Sequence, residues 1–109
     1  MSLDQKLISL VIPTYKGDKT LNDLIEELIL TFKNHNIEIV VVNDCSPDST
    51  HEQMETLMRK YSNKLTYLEF SKNYGEHSAV MAGLRNCEGE IVIIMDDDFQ
   101  NPPDEALKL

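Results

Sequence analysis

Three consecutive aspartates, Asp96, Asp97 and Asp98, follow directly on the apolar run Ile91-Val92-Ile93-Ile94-Met95. Five apolar residues, most of them β-branched, predict a strand buried on both faces, the kind found at the centre of a parallel sheet. Three anions at the carboxyl end of such a strand repel one another unless something positive neutralises them. In an open α/β sheet that end is also where ligands bind. A hard divalent cation carrying phosphates fits the position, because carboxylate and phosphate oxygens are the donors that magnesium and manganese prefer. The alternative is an acidic turn that caps the next helix.

The rest of the chain alternates strand and helix. Leu7 to Ile12 is a strand stopped by Pro13, and Leu21, Leu24, Ile25, Leu28, Ile29 and Phe32 follow at helical spacing. Ile37 to Val42 is a second strand. Ser49 with Glu52 has the pattern of a capping box, opening a helix whose inner face is Met54, Leu57, Met58 and Tyr61. Leu65 to Phe70 alternates more and is expected nearer an edge. A third helix is predicted from about Glu76 to Cys87 with Gly89 as its C-terminal stop. Asn101-Pro102 then suits the start of a fourth helix. Repeated βα units of this length predict an α/β fold, a doubly wound, mainly parallel sheet of about four strands with helices on both faces.

With 109 residues the chain is long enough for one domain and one core. Its formal net charge of −9 argues against binding nucleic-acid backbones. It does not argue against a phosphate-bearing ligand, since a metal inverts the charge locally. Cys45 and Cys87 lack C-x-x-C spacing and suggest reduced thiols in an intracellular protein rather than a zinc site. No apolar run reaches the roughly 18 residues of a membrane span, and no signal peptide is expected before the first strand.

Loops leaving the carboxyl ends of parallel strands share one rim. Here they are Pro13 to Asp18, Asn43 to Thr50, Ser71 to His77, and the aspartate cluster with Gln100. The opposite rim carries Asn34-His35-Asn36 and Asn86-Cys87-Glu88-Gly89, ordinary turn material. The polar chemistry is thus concentrated on one rim. No G-x-G-x-x-G follows the first strand, which disfavours a nicotinamide enzyme.

Ile12-Pro13-Thr14-Tyr15-Lys16-Gly17, Val42-Asn43-Asp44-Cys45-Ser46-Pro47-Asp48-Ser49-Thr50 and Met95-Asp96-Asp97-Asp98-Phe99-Gln100-Asn101-Pro102-Pro103 resemble the family 2 glycosyltransferases of GT-A fold. Asn73-Tyr74-Gly75-Glu76-His77, continuing to Leu84, is similar to the branch that transfers sugars to polyprenyl phosphates, such as dolichyl-phosphate mannose synthases and undecaprenyl-phosphate aminoarabinose transferases. By that resemblance the chain is the N-terminal, nucleotide-sugar-binding half of a longer enzyme, spanning residues 1–109, with the acceptor half absent. Asp44 matches an aspartate that hydrogen-bonds the nucleobase, usually uracil, and Pro13, Thr14 and Tyr15 match the loop lining base and ribose. Asp96 matches the carboxylate near ribose and sugar, Asp98 the metal-binding aspartate, and Gln100 a further metal ligand; Mn2+ or Mg2+ is the implied cofactor. Asp97 stands where many of the family carry alanine, although it falls within the donor-binding stretch. Asn43 and Cys45 depart from the commonest family pattern, which has aspartate and glycine there.

The implied chemistry is an inverting transfer from a nucleotide-sugar donor. A cation on Asp98 and Gln100 would stabilise the leaving diphosphate, and a lipid phosphate, already anionic, would need little help from a base. The base motif and acceptor pocket of the resembling enzymes lie in a further C-terminal half, often with membrane helices. The expected location is therefore cytoplasmic, at the inner membrane face, and a homo-oligomer is left open. Lys72 is a candidate phosphate contact or a solvated lysine, and His77 a phosphate contact or a capping residue. His35, His51, Asp48, Glu26 and Glu27 are expected to be turn or surface residues. Two non-transferase readings stay open, a receiver-like signalling module, which would need an acid pair where Pro13-Thr14-Tyr15 stands, and a nucleotide-sugar-binding domain without transfer; among transferases the alternative is a polysaccharide-building enzyme with a hydroxyl acceptor.

Overall fold

The structure, a computed structural model, describes residues 6–97. Strands β1 (Leu7–Thr14), β2 (Asn36–Asn43), β3 (Leu65–Glu69) and β4 (Ile91–Ile94) alternate with helices α1 (Leu21–Thr31), α2 (Thr50–Lys60) and α3 (Glu76–Arg85). The strands form one parallel sheet in the order β3-β2-β1-β4, so the chain steps outward from β1 to β3 and then crosses back to place β4 on the other side of β1. The doubly wound α/β fold read from the sequence is the fold observed.

Side chains of a strand alternate between its faces, and that alternation divides the core in two. Ile8, Leu10 and Ile12 of β1, with Ile37, Ile39 and Val41 of β2, pack with Leu21, Leu24, Ile25 and Leu28 of α1 and Met54 and Leu57 of α2. On the other face Val11, Val40 and Val42 meet Ala79 of α3. Helix α3 comes close to the sheet because Gly83 has no side chain: a Cβ there would lie 2.5 Å from Val11 Cγ1 and 3.4 Å from Val42 Cγ2.

Four expectations are corrected. Pro13 does not stop β1, which continues through it to Thr14, paired with Val42 and Asn43. Met95 N–H donates to the Val11 carbonyl and Asp44 N–H to that of Thr14. Two residues on from Val11, Pro13 therefore turns its missing N–H toward the β4 side, beyond the last residue of that strand, where no ladder bond is lost. Strand β4 is not buried on both faces: Ile91 and Ile93 pack against the larger core, while Val92 and Ile94 are 40% and 49% exposed. They share the face of α3, and α3 packs on β1 and β2. Ser49 makes no capping bond to α2; Asp48 Oδ1 instead accepts from Thr50 N–H at 3.0 Å and its hydroxyl at 2.5 Å. Helix α3 ends at Arg85 with Asn86 as its cap, and Gly89 serves close packing, since a Cβ there would meet Ser9 Oγ at 2.3 Å. The fourth helix expected from Asn101 lies outside the described residues.

Candidate functional site

The carboxyl ends of the strands open into a cavity of about 490 Å³. Pro13, Thr14 and Tyr15 line it from the end of β1 and the residue after it, Asp44 from the turn after β2, Glu76 and Ala79 from α3, and Asp96 and Asp97 from the segment after β4. Segments as far apart in sequence as Thr14 and Asp97, 83 positions, thus meet at one place, as parallel βα topology requires. The structure brings together Pro13, Thr14, Tyr15, Asp44, Asp96 and Asp97 of the expected site. Lys72 is not among the lining residues; it is exposed, with Nζ 5.9 Å from the centre of the Tyr74 ring. His77 lines a smaller neighbouring groove with Phe70 and Tyr74. Asp98 and Gln100, the expected metal ligands, lie outside the described residues.

Asp44 is only 4% exposed, and both its oxygens are engaged. Oδ1 accepts from Tyr74 N–H at 2.7 Å and Oδ2 from Gly75 N–H at 2.9 Å. Gly75 holds φ at +98° immediately before α3 and has no side chain to cap it. From the turn after β2, the Asp44 carboxylate instead holds the two amides that lead into α3, and the positive end of the helix favours an anion there. Each carboxylate oxygen has a second acceptor direction left for a ligand.

The turn after Asp44 is built on Asn43. Its Oδ1 accepts from the Ser46 N–H and hydroxyl, its Nδ2 donates to Tyr67 Oη at 3.0 Å, and Ser46 Oγ accepts in turn from Lys16 N–H. The amide thus does what an aspartate at this position could not, because only Asn43 has an N–H to give Tyr67. Cys45 takes the left-handed backbone, φ +58°, a conformation that costs a non-glycine residue about 1–2 kcal/mol. Burial pushes the Tyr67 phenol up to about 12, with the nearby Glu69 carboxylate adding to the shift and the Asn43 donation opposing it.

A second set of bonds ties the β1 loop to its neighbours. Thr14 Oγ1 donates to Asp97 Oδ2 at 2.6 Å and Thr20 Oγ1 to the Asp97 carbonyl at 2.5 Å. Gly17 N–H donates to Thr50 Oγ1, and Asp18 N–H to Asp48 Oδ2. For Asp48, burial alone would raise the carboxyl, but the bonds from Thr50 and Asp18 outweigh it and hold it below the usual range. Sequence reasoning missed Glu76 and Thr20, and gave Asp97 no partner. Glu76 stands within the Asn73 to Leu84 motif and on the rim, a signal that was available; no local pattern identifies Thr14 as the partner of Asp97.

Among the described residues, the cavity wall carries four carboxylates, Asp44, Glu76, Asp96 and Asp97, and no Lys, Arg or His. A free diphosphate would be repelled here, whereas a phosphate group bearing a divalent cation would not. The donor set, all oxygen, suits a hard cation. Among the described residues, no three His, Cys, Asp or Glu side chains are grouped to hold a metal ion by themselves.

Comparison with known proteins decides the family. The glycosyl transferase family 2 model matches residues 9–109. The chain belongs to glycosyl transferase family 2. Among curated family 2 relatives, an undecaprenyl-phosphate 4-deoxy-4-formamido-L-arabinose transferase of Pseudomonas savastanoi pv. phaseolicola is 37% identical over 106 residues, covering 95% of this chain and 32% of that protein. The protein of the same name from Proteus mirabilis is 35% identical over 113 residues, covering 100% and 35%. The chain therefore spans about a third of the length of these relatives. Among solved structures, the mannosyltransferase PcManGT from Pyrobaculum calidifontis in complex with GDP-Man and Mn2+ superposes with a TM-score of 0.78 at 25% identity, over 94% of this chain and 30% of that one. S. aureus TarS 1-349 in complex with UDP-GlcNAc gives 0.71 at 31%, over 93% and 29%. The family 2 fold of these GT-A neighbours is the fold described above.

Proposed function

We propose that this chain is the donor-binding part of a metal-dependent, inverting glycosyltransferase that moves a sugar from a nucleotide-sugar, a UDP-sugar, to a polyprenyl phosphate. One observation carries the reading. Asp44, Asp96 and the Pro13-Thr14-Tyr15 strand end, each expected at the donor from its own motif, line a single cavity at the carboxyl rim. Neighbours of the same fold bind GDP-Man with Mn2+ and UDP-GlcNAc, and the relatives' names specify undecaprenyl phosphate as acceptor.

In this reading Asp44 takes a base N–H with its remaining acceptor positions, while Pro13 and Tyr15 flank base and ribose. Asp96 faces the ribose and sugar. Asp98 with Gln100 would hold Mn2+ or Mg2+, and the oxygen-only, anionic wall suits such an ion. A bound cation supplies Lewis-acid stabilisation of the leaving diphosphate, worth several kcal/mol. A lipid phosphate attacks as an anion, so no base is assigned. A polyprenyl phosphate acceptor puts the reaction at the cytoplasmic membrane face in this reading, with contacts from sequence outside the third of the relatives' length that this chain spans; among the described residues no helix is long and apolar enough to cross a membrane.

Calorimetry of the chain with UDP, with and without Mn2+, tests the donor half: metal-dependent binding is expected, and metal-independent affinity or a preference for adenine nucleotides counts against it. The acceptor half is tested on a full-length protein bearing this chain, given labelled UDP-sugars with undecaprenyl phosphate or soluble oligosaccharides. Label passing only to the oligosaccharide would overturn the lipid assignment and leave the transferase reading intact.

A further inference from the structure

We propose that Asp97 is a positioning residue that latches the acidic segment leaving β4 onto the β1–α1 loop and so holds Asp96 toward the donor cavity. The inference rests on the reading of that cavity as the nucleotide-sugar site. Its basis is that Asp97 is bound at both ends of the residue: the side chain by Thr14 Oγ1 at 2.6 Å and the carbonyl by Thr20 Oγ1 at 2.5 Å. Thr14 is 2% exposed, so its hydroxyl is sheltered from water and its bond to a carboxylate is charge-assisted. Gly17 makes the approach possible, since a Cβ there would lie 2.4 Å from Thr14 Oγ1 and 2.8 Å from Asp97 Oδ2. The same loop is pinned on its far side by Gly17 N–H to Thr50 Oγ1 at 3.1 Å. The segment carrying Asp96 is thereby fixed against β1 on one side and, through the loop, against the start of α2.

The latch also accounts for a third carboxylate in a row. Asp97 and Asp96 both line the cavity, and the Asp97 carboxylate also accepts from the Thr14 hydroxyl within the protein. Loosening the residue between them and the loop would leave Asp96 chemically intact and wrongly placed. Losing a group that orients a ligand-bearing residue typically costs on the order of 10- to 100-fold in affinity.

The experiment compares Asp97→Ala, Asp97→Asn, Thr14→Val, Thr14→Ser and the Asp97→Ala/Thr14→Val double variant. Two readouts are taken: calorimetric affinity for UDP with Mn2+, and hydrogen exchange at the Met95 amide, which donates to the Val11 carbonyl at 2.9 Å. A latch predicts that Asp97→Ala and Thr14→Val each weaken binding by about tenfold or more, and that the double variant is no worse than either single one. Asp97→Asn and Thr14→Ser recover most of the affinity, because an amide oxygen still accepts and a serine still donates. Direct contact of Asp97 with the cation would make Asp97→Asn as damaging as Asp97→Ala and leave Thr14→Val nearly harmless, and that pattern overturns the proposal. So does a set of variants that melt earlier yet bind as the unmodified chain does. Should the unmodified chain bind no nucleotide, the donor-site reading fails, and the exchange data decide the latch: faster Met95 exchange in Asp97→Ala, restored in Asp97→Asn, supports it, and unchanged exchange overturns it.

Discussion

Asp44 and Tyr74, thirty positions apart, are joined by a 2.7 Å hydrogen bond from the Tyr74 backbone N–H to Asp44 Oδ1. With the matching bond from Gly75, one buried carboxylate holds the whole entry to α3. A residue expected to read a ligand is therefore also the residue that shapes the wall on which the ligand would lie.

Removing that carboxylate should have a measurable stability cost as well as a binding cost. Asp44→Ala leaves two N–H groups without their partner and is expected to destabilise the chain by about 2–4 kcal/mol, given roughly 1.5–3 for a hydrogen bond to a charged group. Asp44→Asn keeps one acceptor oxygen and should cost about half as much. Urea unfolding measures both. A change under about 0.5 kcal/mol for the alanine variant, the range of an ordinary surface substitution, would show that the Asp44 bonds do not hold α3 in solution.

Asp98→Ala should be more damaging to metal-dependent binding than Asp97→Ala. The first removes a charged oxygen expected on the cation, and the second disturbs the placement of a neighbour. Titration of each variant with Mn2+ in the presence of UDP gives the order. A larger loss for Asp97→Ala would mean that the two residues have exchanged roles.

Gly83→Ala sets two effects against each other. Alanine improves helix propensity by about 0.8–1 kcal/mol. The new methyl, however, would lie 2.5 Å from Val11 Cγ1, on a buried β-branched side chain that the sheet holds in place, and overpacking of this kind costs about 1–3 kcal/mol. Net destabilisation of about 1 kcal/mol is expected, visible as a Tm lowered by several degrees. A raised Tm would show that α3 can lift from the sheet at little cost.

Tyr67 sets an alkaline limit. Its phenol is pushed from 10.0 up to about 12 in the folded chain. The folded state thus favours the protonated form, and this contribution is complete below pH 10, declining as pH rises toward 12. Tyr67→Phe should therefore flatten the alkaline fall in stability between those values while loosening the Asn43 turn. Unfolding curves recorded across that range, with phenol ionisation followed by ultraviolet absorbance, test it; an alkaline limb of unchanged slope would show that Tyr67 does not set it.

The strands, the helices and the rim were legible because they depend on local spacing. Ile8, Leu10 and Ile12 alternate with Ser9 and Val11, and Leu21, Leu24, Ile25 and Leu28 repeat as a helix face does. What was hidden depends on neighbours distant in sequence. Whether Pro13 breaks β1 depends on which side its missing N–H faces, and whether β4 is buried depends on what lies over Val92 and Ile94. Ser49 and Glu52 looked like a cap, but Asp48 reaches the Thr50 N–H instead. Asp97 was the hardest case, because its partner Thr14 is 83 residues away. Among the expected site residues, Pro13, Thr14, Tyr15, Asp44, Asp96 and Asp97 converge on the cavity and Lys72 does not.

The two faces of the sheet are covered unequally. Helices α1 and α2 share a broad core, whereas α3 rests on Val11, Val40 and Val42 through a smaller cluster, Ala79 and Ala82 with Leu68, Phe70 and Cys87 beside them, and the gap left by Gly83. The thinner side has less apolar contact to break, so α3 should detach in partial opening events that leave the rest of the sheet intact. A donor seated against Glu76 and Ala79 would bind only the closed form. Occupancy would then be recorded locally, as slowed amide exchange along α3 ahead of any change in α1 or α2.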